Sequence, residues 1–197
     1  MNKQNTLNIL LASASSRRLD LLRQINITPK AVIPADIDEK PYKNELPHKL
    51  ALRLSQGKAE AVHQQNPNNY VLGADTVVAC GKKILDKAEN ADQARKYLEK
   101  LQGRRHQVHG GITLITPNGQ ILSRSCKTLV QFAPLSTQDI DLYIENGEWE
   151  DKAGGYAIQG YAASFIKYIS GSYSNVVGLS LYDTMKLIER AASMPSK

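Results

Sequence analysis

Leu7-Asn8-Ile9-Leu10-Leu11-Ala12-Ser13-Ala14-Ser15-Ser16-Arg17-Arg18 is the stretch from which the architecture can be read. Ile9 to Ala12 is an apolar run of strand length that enters a turn at Ser13-Ala14-Ser15. A helix is expected from about Ser16 to Ile25, burying Leu19, Leu22 and Ile25 at a spacing of three. Ala12-Ser13-Ala14 also has the small-residue pattern of a signal-peptidase site. The apolar stretch before it is too short and a polar Ser/Arg segment follows, so the reading is a buried strand.

The rest of the chain continues the mixture. A second helix is expected over Pro47 to Gln65, with Leu50, Leu54, Ala61 and Val62 on one stripe and Pro47 in the first turn, where its missing N–H costs nothing. Tyr70 to Gly73 reads as a short strand ending at Asp75, and Val77 to Leu85 as a hairpin turning at Gly81. A third helix starts at Asn90, with Gln93 placed for a capping-box contact, and stops at Gly103. Val108 to Ile115 and Thr128 to Phe132 are strand-like. Ser136 with Asp139 opens a further helix ending near Gly147, Gly154 to Gly178 reads as Gly-rich and strand-like, and Leu181 to Ala192 is a last helix. This order argues for an α/β fold. With no repeat, low-complexity segment or long linker, one folding unit over residues 1–197 is expected.

Composition narrows the function. A 42% hydrophobic and 22% charged chain is an ordinary globule. Cys80 and Cys126 form neither a Cys-x-x-Cys pattern nor a disulfide framework, which suits a reducing cytosol. No run approaches the ~20 apolar residues that cross a bilayer, so a cytoplasmic protein is expected. The net charge of +6 favours anionic partners, nucleotide or nucleic acid.

Four features carry chemistry. Arg17-Arg18 lie in the opening turn of a helix, where cations oppose the macrodipole by about 0.3–1 kcal/mol each. A phosphate at that helix end, met also by Ser13 and Ser15, would reverse the sign. The alternative is a plain serine cap with solvated arginines. Lys58 falls inside the apolar stripe of its helix, so it either snorkels to the surface or points into a cleft. Asp75-Thr76, at a strand end, suit metal binding or proton abstraction, or a turn. Asp36, Asp38 and Glu39 form an acidic turn that could add metal ligands or simply face water.

The fourth feature is Asp151-Lys152-Ala153-Gly154-Gly155-Tyr156-Ala157-Ile158-Gln159-Gly160. Its paired glycines permit close backbone approach, to a ligand or to a neighbouring strand, and Gln159 offers an amide to a base edge. It is neither a Walker loop nor a dinucleotide fingerprint. His106 and His109, three apart in a strand, face opposite sides and make a poor metal pair. Gly103-Arg104-Arg105-His106 is a basic turn that could meet phosphate or water. No serine-hydrolase elbow or zincin motif occurs.

In this order, these segments resemble the Maf family of nucleotide pyrophosphatases. The match runs through Ala12–Arg18, Gly73-Ala74-Asp75-Thr76-Val77-Val78, Gly103–His106, Asp151–Gly160 and Gly171-Ser172-Tyr173-Ser174-Asn175-Val176-Val177-Gly178-Leu179, spanning nearly the whole chain. The resemblance implies a bilobed mixed-sheet fold with a central cleft, similar to inosine triphosphate pyrophosphatases. It implies a divalent cation (Mg²⁺ or Mn²⁺), a homodimer, and conversion of dTTP and UTP, or modified nucleotides, to monophosphate and pyrophosphate.

Residue by residue, the resemblance makes Asp75 the proton acceptor and, with Glu39, a metal ligand. It places Arg17, Thr76 and Gln159 at positions of nucleotide preference, and Ser13, Arg18, Lys58, Lys87 and Lys152 elsewhere in the cleft. Ser16, Ala88 and Ser180 each replace a proline usual in the family, which should loosen loops by ~0.4–1 kcal/mol each. Two other readings stand beside this one: a regulatory protein linked to cell-division arrest, and a nucleic-acid-binding module. The module needs a continuous basic face or stacking aromatics, yet only 6% of the chain is aromatic. Stable nucleic-acid or membrane partners are therefore not expected.

Overall fold

The computed structural model describes residues 7–194. Chain order is β1 (Ile9–Ala12), α1 (Ser16–Gln24), β2 (Ala31–Val32), α2 (Pro47–Gln65), β3 (Tyr70–Cys80), β4 (Lys83–Leu85), α3 (Ala91–Leu101), β5 (Arg105–Ile115), β6 (Ile121–Phe132) and α4 (Thr137–Glu145). A 3₁₀ turn (Tyr161–Phe165), β7 (Ile166–Ser170), α5 (Tyr173–Val177) and α6 (Leu181–Ala192) follow. The sheet is mixed, in the order β2-β1-β3-β5-β6-β7, with β4 also on β3. β1 runs parallel to β2 and β3, and the other pairs are antiparallel. The fold is α/β with a mixed sheet, as expected.

Two expectations need correction. β3 does not stop near Asp75. It runs unbroken through Thr76-Val77-Val78 because β5 pairs with it from Val71 to Ala79, so Asp75 stands in mid-strand opposite Gly111. The Gly154–Gly178 segment is mostly not strand. Only Ile166–Ser170 pairs, and Gly154, Gly155, Gly171 and Gly178 all take positive φ that break the run.

The alternation of β3 decides the site. Gly73, Asp75 and Val77 face α2, while Leu72, Ala74, Thr76 and Val78 face the opposite side. Gly73 lets α2 press onto the sheet: a Cβ there would overlap the Ser55 carbonyl oxygen and come within 2.8 Å of the Ala59 nitrogen. Gly111 on β5 lies as closely under Ala51. Ser55 Oγ then meets Thr113 Oγ1 at 3.0 Å. The buried stripe Leu50, Ala51, Leu54, Ala59 and Val62 lies on the sheet, and Lys58 is held in the same stripe.

β1 follows β3 only as far as Ala12↔Gly73, and β4 joins at Val78↔Leu85. Residues 74–77 therefore run between two partners along that edge. The interval opens into a cleft.

Candidate active site

The cleft has a volume of about 910 Å³ and takes its walls from segments far apart in sequence. Ser13, Arg17, Arg18, Glu39, Lys58, Asp75, Thr76, Lys87, Lys152 and Gln159 all line it. The ten residues that the resemblance assigned to the site are thus brought to one place, whereas Asp36 of the acidic turn is not in the lining. Asp38 lines the cleft too, and its Oδ1 accepts the Lys40 N–H. Arg105 does not reach it: its Nε donates to Gln131 and its guanidinium lies over Tyr168.

Lys58 points inward. Its Nζ lies 2.7 Å from Asp75 Oδ1 and 2.9 Å from Glu39 Oε1. Asp75 and Lys58 are both buried, at 7% and 8% exposure, so neither charge has more than a trace of water to solvate it. A buried carboxylate is tolerable only with such a partner. Asp86, which the sequence reading passed over, lines the same cleft. Burial first, and the charge of Asp75 second, raise its pKa. An acidic residue between a short apolar strand and a lysine was its only signal.

On the opposite face of β3, Arg18 turns away from solvent. Its Nε donates to the Gly178 carbonyl at 3.0 Å, Nη1 to Ser13 Oγ at 2.9 Å and Nη2 to Thr76 Oγ1 at 3.5 Å. Burial lowers its pKa, with Asp75 opposing. Thr76 donates to the Gly178 carbonyl at 3.2 Å. Its hydroxyl can therefore accept one more hydrogen bond but has no proton left to give. Ser15 occupies the N-cap position of α1 without a side-chain cap bond; Ser13 Oγ instead accepts from the Ser15 N–H at 3.2 Å. Neither serine is a plain cap.

The rim is pinned by backbone. Gly154 N–H donates to the carbonyls of Leu85 and Asp86, and Lys87 bridges Ala153. A Cβ on Gly154 would stand 2.8 Å from Val78 Cγ1. This close approach, to a strand and not to a ligand, carries Lys152 and Asp151 to the cleft mouth. There Asp151 Oδ1 lies 3.6 Å from Lys87 Nζ, and Arg17 reaches the Asp151 carbonyl at 3.5 Å. Burial and then Arg17 lower the Lys152 pKa. Below, the Tyr156 hydroxyl shares a 2.7 Å hydrogen bond with His106 Nε2, and both rings pack edge-on against Phe132. Burial lowers the His106 pKa to about 4. His109 sits on the other face of β5, near His48.

The three proline replacements differ in effect. Ser16 begins α1 and Ala88 is buried. Ser180 caps α6, accepting the Asp183 N–H and donating to its carboxylate at 2.7 Å. A side-chain cap is worth ~1 kcal/mol, so at this position the expected loosening is offset.

The model of the Maf-like protein family matches residues 8–191. A protein of Paramagnetospirillum magneticum named dTTP/UTP pyrophosphatase is 56% identical over 181 residues, covering 92% of this chain and 95% of its own. One of the same name from Agrobacterium fabrum is 50% identical, covering 91% and 90%. Among solved structures, a nucleoside-triphosphatase (dITP/XTP pyrophosphatase) from Mycobacterium abscessus aligns with TM-score 0.44 and 14% identity over 95% of this chain and 99% of that one. A family match along nearly the whole chain, joined to relatives half identical over nine-tenths or more of their own length, shows that the chain belongs to the Maf-like family.

Proposed function

We propose that this chain hydrolyses nucleoside triphosphates, dTTP and UTP foremost, to the monophosphate and pyrophosphate. The observation that carries the reading is the buried Lys58–Asp75 pair at the floor of a cleft walled by Arg17, Arg18, Lys87 and Lys152. A site of this kind gathers the charge of a triphosphate around one carboxylate. The names of the relatives support the substrate class and favour neither a regulatory nor a nucleic-acid-binding role.

Asp75 takes a proton from the water that attacks the α-phosphorus, and pyrophosphate leaves toward the cationic rim. Lys58 holds Asp75 in place through the 2.7 Å contact. Arg18 and Lys58 are held by hydrogen bonds before substrate arrives, so they stabilise the developing charge without reorganising. A divalent cation, Mg²⁺ or Mn²⁺, would be held by Asp75 and Glu39 and would neutralise polyphosphate charge. The donor set fits: both are carboxylates, the hard oxygen ligands these ions prefer. Among the described residues no group of three or more metal-ligating side chains is assembled. That suits a cation which draws its other ligands from phosphate and water.

Base preference follows from donors and acceptors. Uracil and thymine present an N–H donor between two carbonyl acceptors. Thr76, restricted to accepting, and Gln159, able to do both, complement that edge, and Arg17 supplies a donor. The cysteine usage and the lack of a long apolar run support a place in the cytoplasm, and the family resemblance supports a homodimer. No helix of the described residues is long and apolar enough to cross a membrane. Sedimentation at assay concentration tests the dimer.

The decisive experiment incubates the purified protein with Mg²⁺ or Mn²⁺ and a panel of nucleoside triphosphates, including modified ones, and resolves products by ion exchange. Monophosphate and pyrophosphate, released fastest from dTTP and UTP, are expected. Turnover of other nucleotides alone would overturn the assignments of Arg17, Thr76 and Gln159, and no turnover would overturn the enzyme.

A further inference from the structure

The segment that brings Glu39 to the cleft has no helix or strand of its own between β2 and α2. Its position is set by a helix residue outside the cleft lining. Arg53 of α2 donates from Nε to Glu45 Oε1 and from Nη2 to Glu45 Oε2, both at 2.8 Å, a bidentate fork. The same Nη2 donates to the Lys40 carbonyl at 3.0 Å, and the guanidinium carbon lies 3.9 Å from the centre of the Tyr42 ring. Glu45 is tied further by the Tyr42 N–H at 2.9 Å, and its side chain is only 8% exposed.

One turn along α2, Gly57 leaves room for Ile37, whose Cδ1 would stand 3.3 Å from a Cβ there. The next residue is Lys58. The segment is therefore fixed to α2 before Glu39, at Ile37, and after it, at Lys40. Glu39 itself, with its side chain 54% exposed, meets the helix through Lys58. An ion pair near the surface adds little to stability by itself, but this guanidinium engages three residues within six positions. Such a grip fixes backbone position, which simple charge neutralisation does not require.

We propose that Arg53 is a positioning residue that sets the height at which Glu39 reaches the cation site beside Asp75. The proposal rests on the reading of Glu39 and Asp75 as cation ligands. Residues that orient a ligand without touching the ion typically change metal affinity by about 10–100-fold when replaced. Turnover at saturating cation should change far less.

The test uses the full chain carrying Arg53→Ala, Arg53→Lys and Glu45→Gln, the last a milder change in case the first two fail to fold. Mn²⁺ binding is followed by water-proton relaxation, on the protein alone and with a non-hydrolysable nucleoside triphosphate present. Trypsin cleavage after Lys43 reports the segment, Lys40 being protected by the proline that follows it, and melting temperature reports folding. Expected are an Mn²⁺ dissociation constant raised about tenfold or more, faster cleavage, and kcat within about twofold of wild type at saturating Mn²⁺. Arg53→Lys should resemble Arg53→Ala, since an ammonium cannot span a carboxylate, a carbonyl and a ring together. Faster cleavage with unchanged Mn²⁺ affinity would make the grip merely structural and overturn the proposal, as would no change in either. Wild-type protein that binds Mn²⁺ but hydrolyses no nucleotide would sink the proposed function and leave this inference standing. Wild-type protein that binds no Mn²⁺ would remove the ligand role of Glu39 and, with it, the inference.

Discussion

Lys58 Nζ and Asp75 Oδ1 lie 2.7 Å apart in the space between α2 and β3, with almost no solvent on either residue. Such a pair adds little net stability when whole, but breaking it strands a charge. Lys58→Met should destabilise the fold by about 3–5 kcal/mol, and adding Asp75→Asn to it should restore much of the loss. Urea unfolding of the two single variants and the double variant measures the coupling. A Lys58→Met protein as stable as wild type would show that the Asp75 carboxylate does not depend on this ammonium.

Asp75→Asn alone preserves shape and removes the proton acceptor. Turnover should fall by roughly 10²–10⁴-fold or more, the usual reach of general-base catalysis, while circular dichroism stays native. Quantitative pyrophosphate release decides the matter. Near-normal turnover would remove Asp75 from the role.

Gly73→Ala tests the seat of α2. The added methyl would collide with helix backbone at Ser55 and Ala59, which cannot swing aside as a flexible side chain can. Overpacking of this kind costs about 1–3 kcal/mol or more. Because α2 carries Lys58, activity should fall together with the melting temperature. A variant that melts as wild type does would mean that the helix can lift without penalty.

Acid should weaken the fold through His106. Its folded pKa of about 4 lies below the ordinary 6.5 because burial disfavours the imidazolium. The unfolded chain therefore binds the extra proton first. Stability is complete above about pH 6.5 and is lost as pH falls toward 4, by at most about 3 kcal/mol. His109, shifted in the same direction chiefly by burial, adds to the slope. Melting curves of wild type and His106→Gln between pH 7 and pH 4 should converge as pH falls. Parallel curves would show that His106 does not carry the effect.

What could be read from sequence was whatever local chemistry decides. α2 and α6 begin and end at the expected residues, and Ser136 with Asp139 opens α4 as expected, in the form of a capping box. Asn90 caps α3 through the Gln93 N–H, but the Gln93 side chain reaches back to Glu89, one residue earlier than expected. Longer-range pairing was not legible. Asp75 looked like a strand end because charge is rare inside a sheet, and only the β5 ladder and Lys58 reveal why it is allowed there. β6 begins at Ile121, seven residues before the expected start, because its outer half is mostly exposed and lacks a continuous apolar pattern. The Asn118-Gly119 turn that precedes it was a usable signal. The ten site residues assigned by resemblance lie in the cleft, but Arg53 was invisible: its partners Lys40, Tyr42 and Glu45 carry no motif.

The interval between β1 and β4 along β3 has a consequence for how occupancy can be sensed. A strand edge offers peptide groups at fixed spacing, and here a short length of that edge faces the cleft where a neighbouring strand would otherwise lie. A ligand seated there would occupy the place of a missing strand, shielding the outward-facing amides among residues 75–77 as well as meeting side chains. Filling the cleft would then be written into the isotope exchange of a few backbone positions, and emptying it would erase the record.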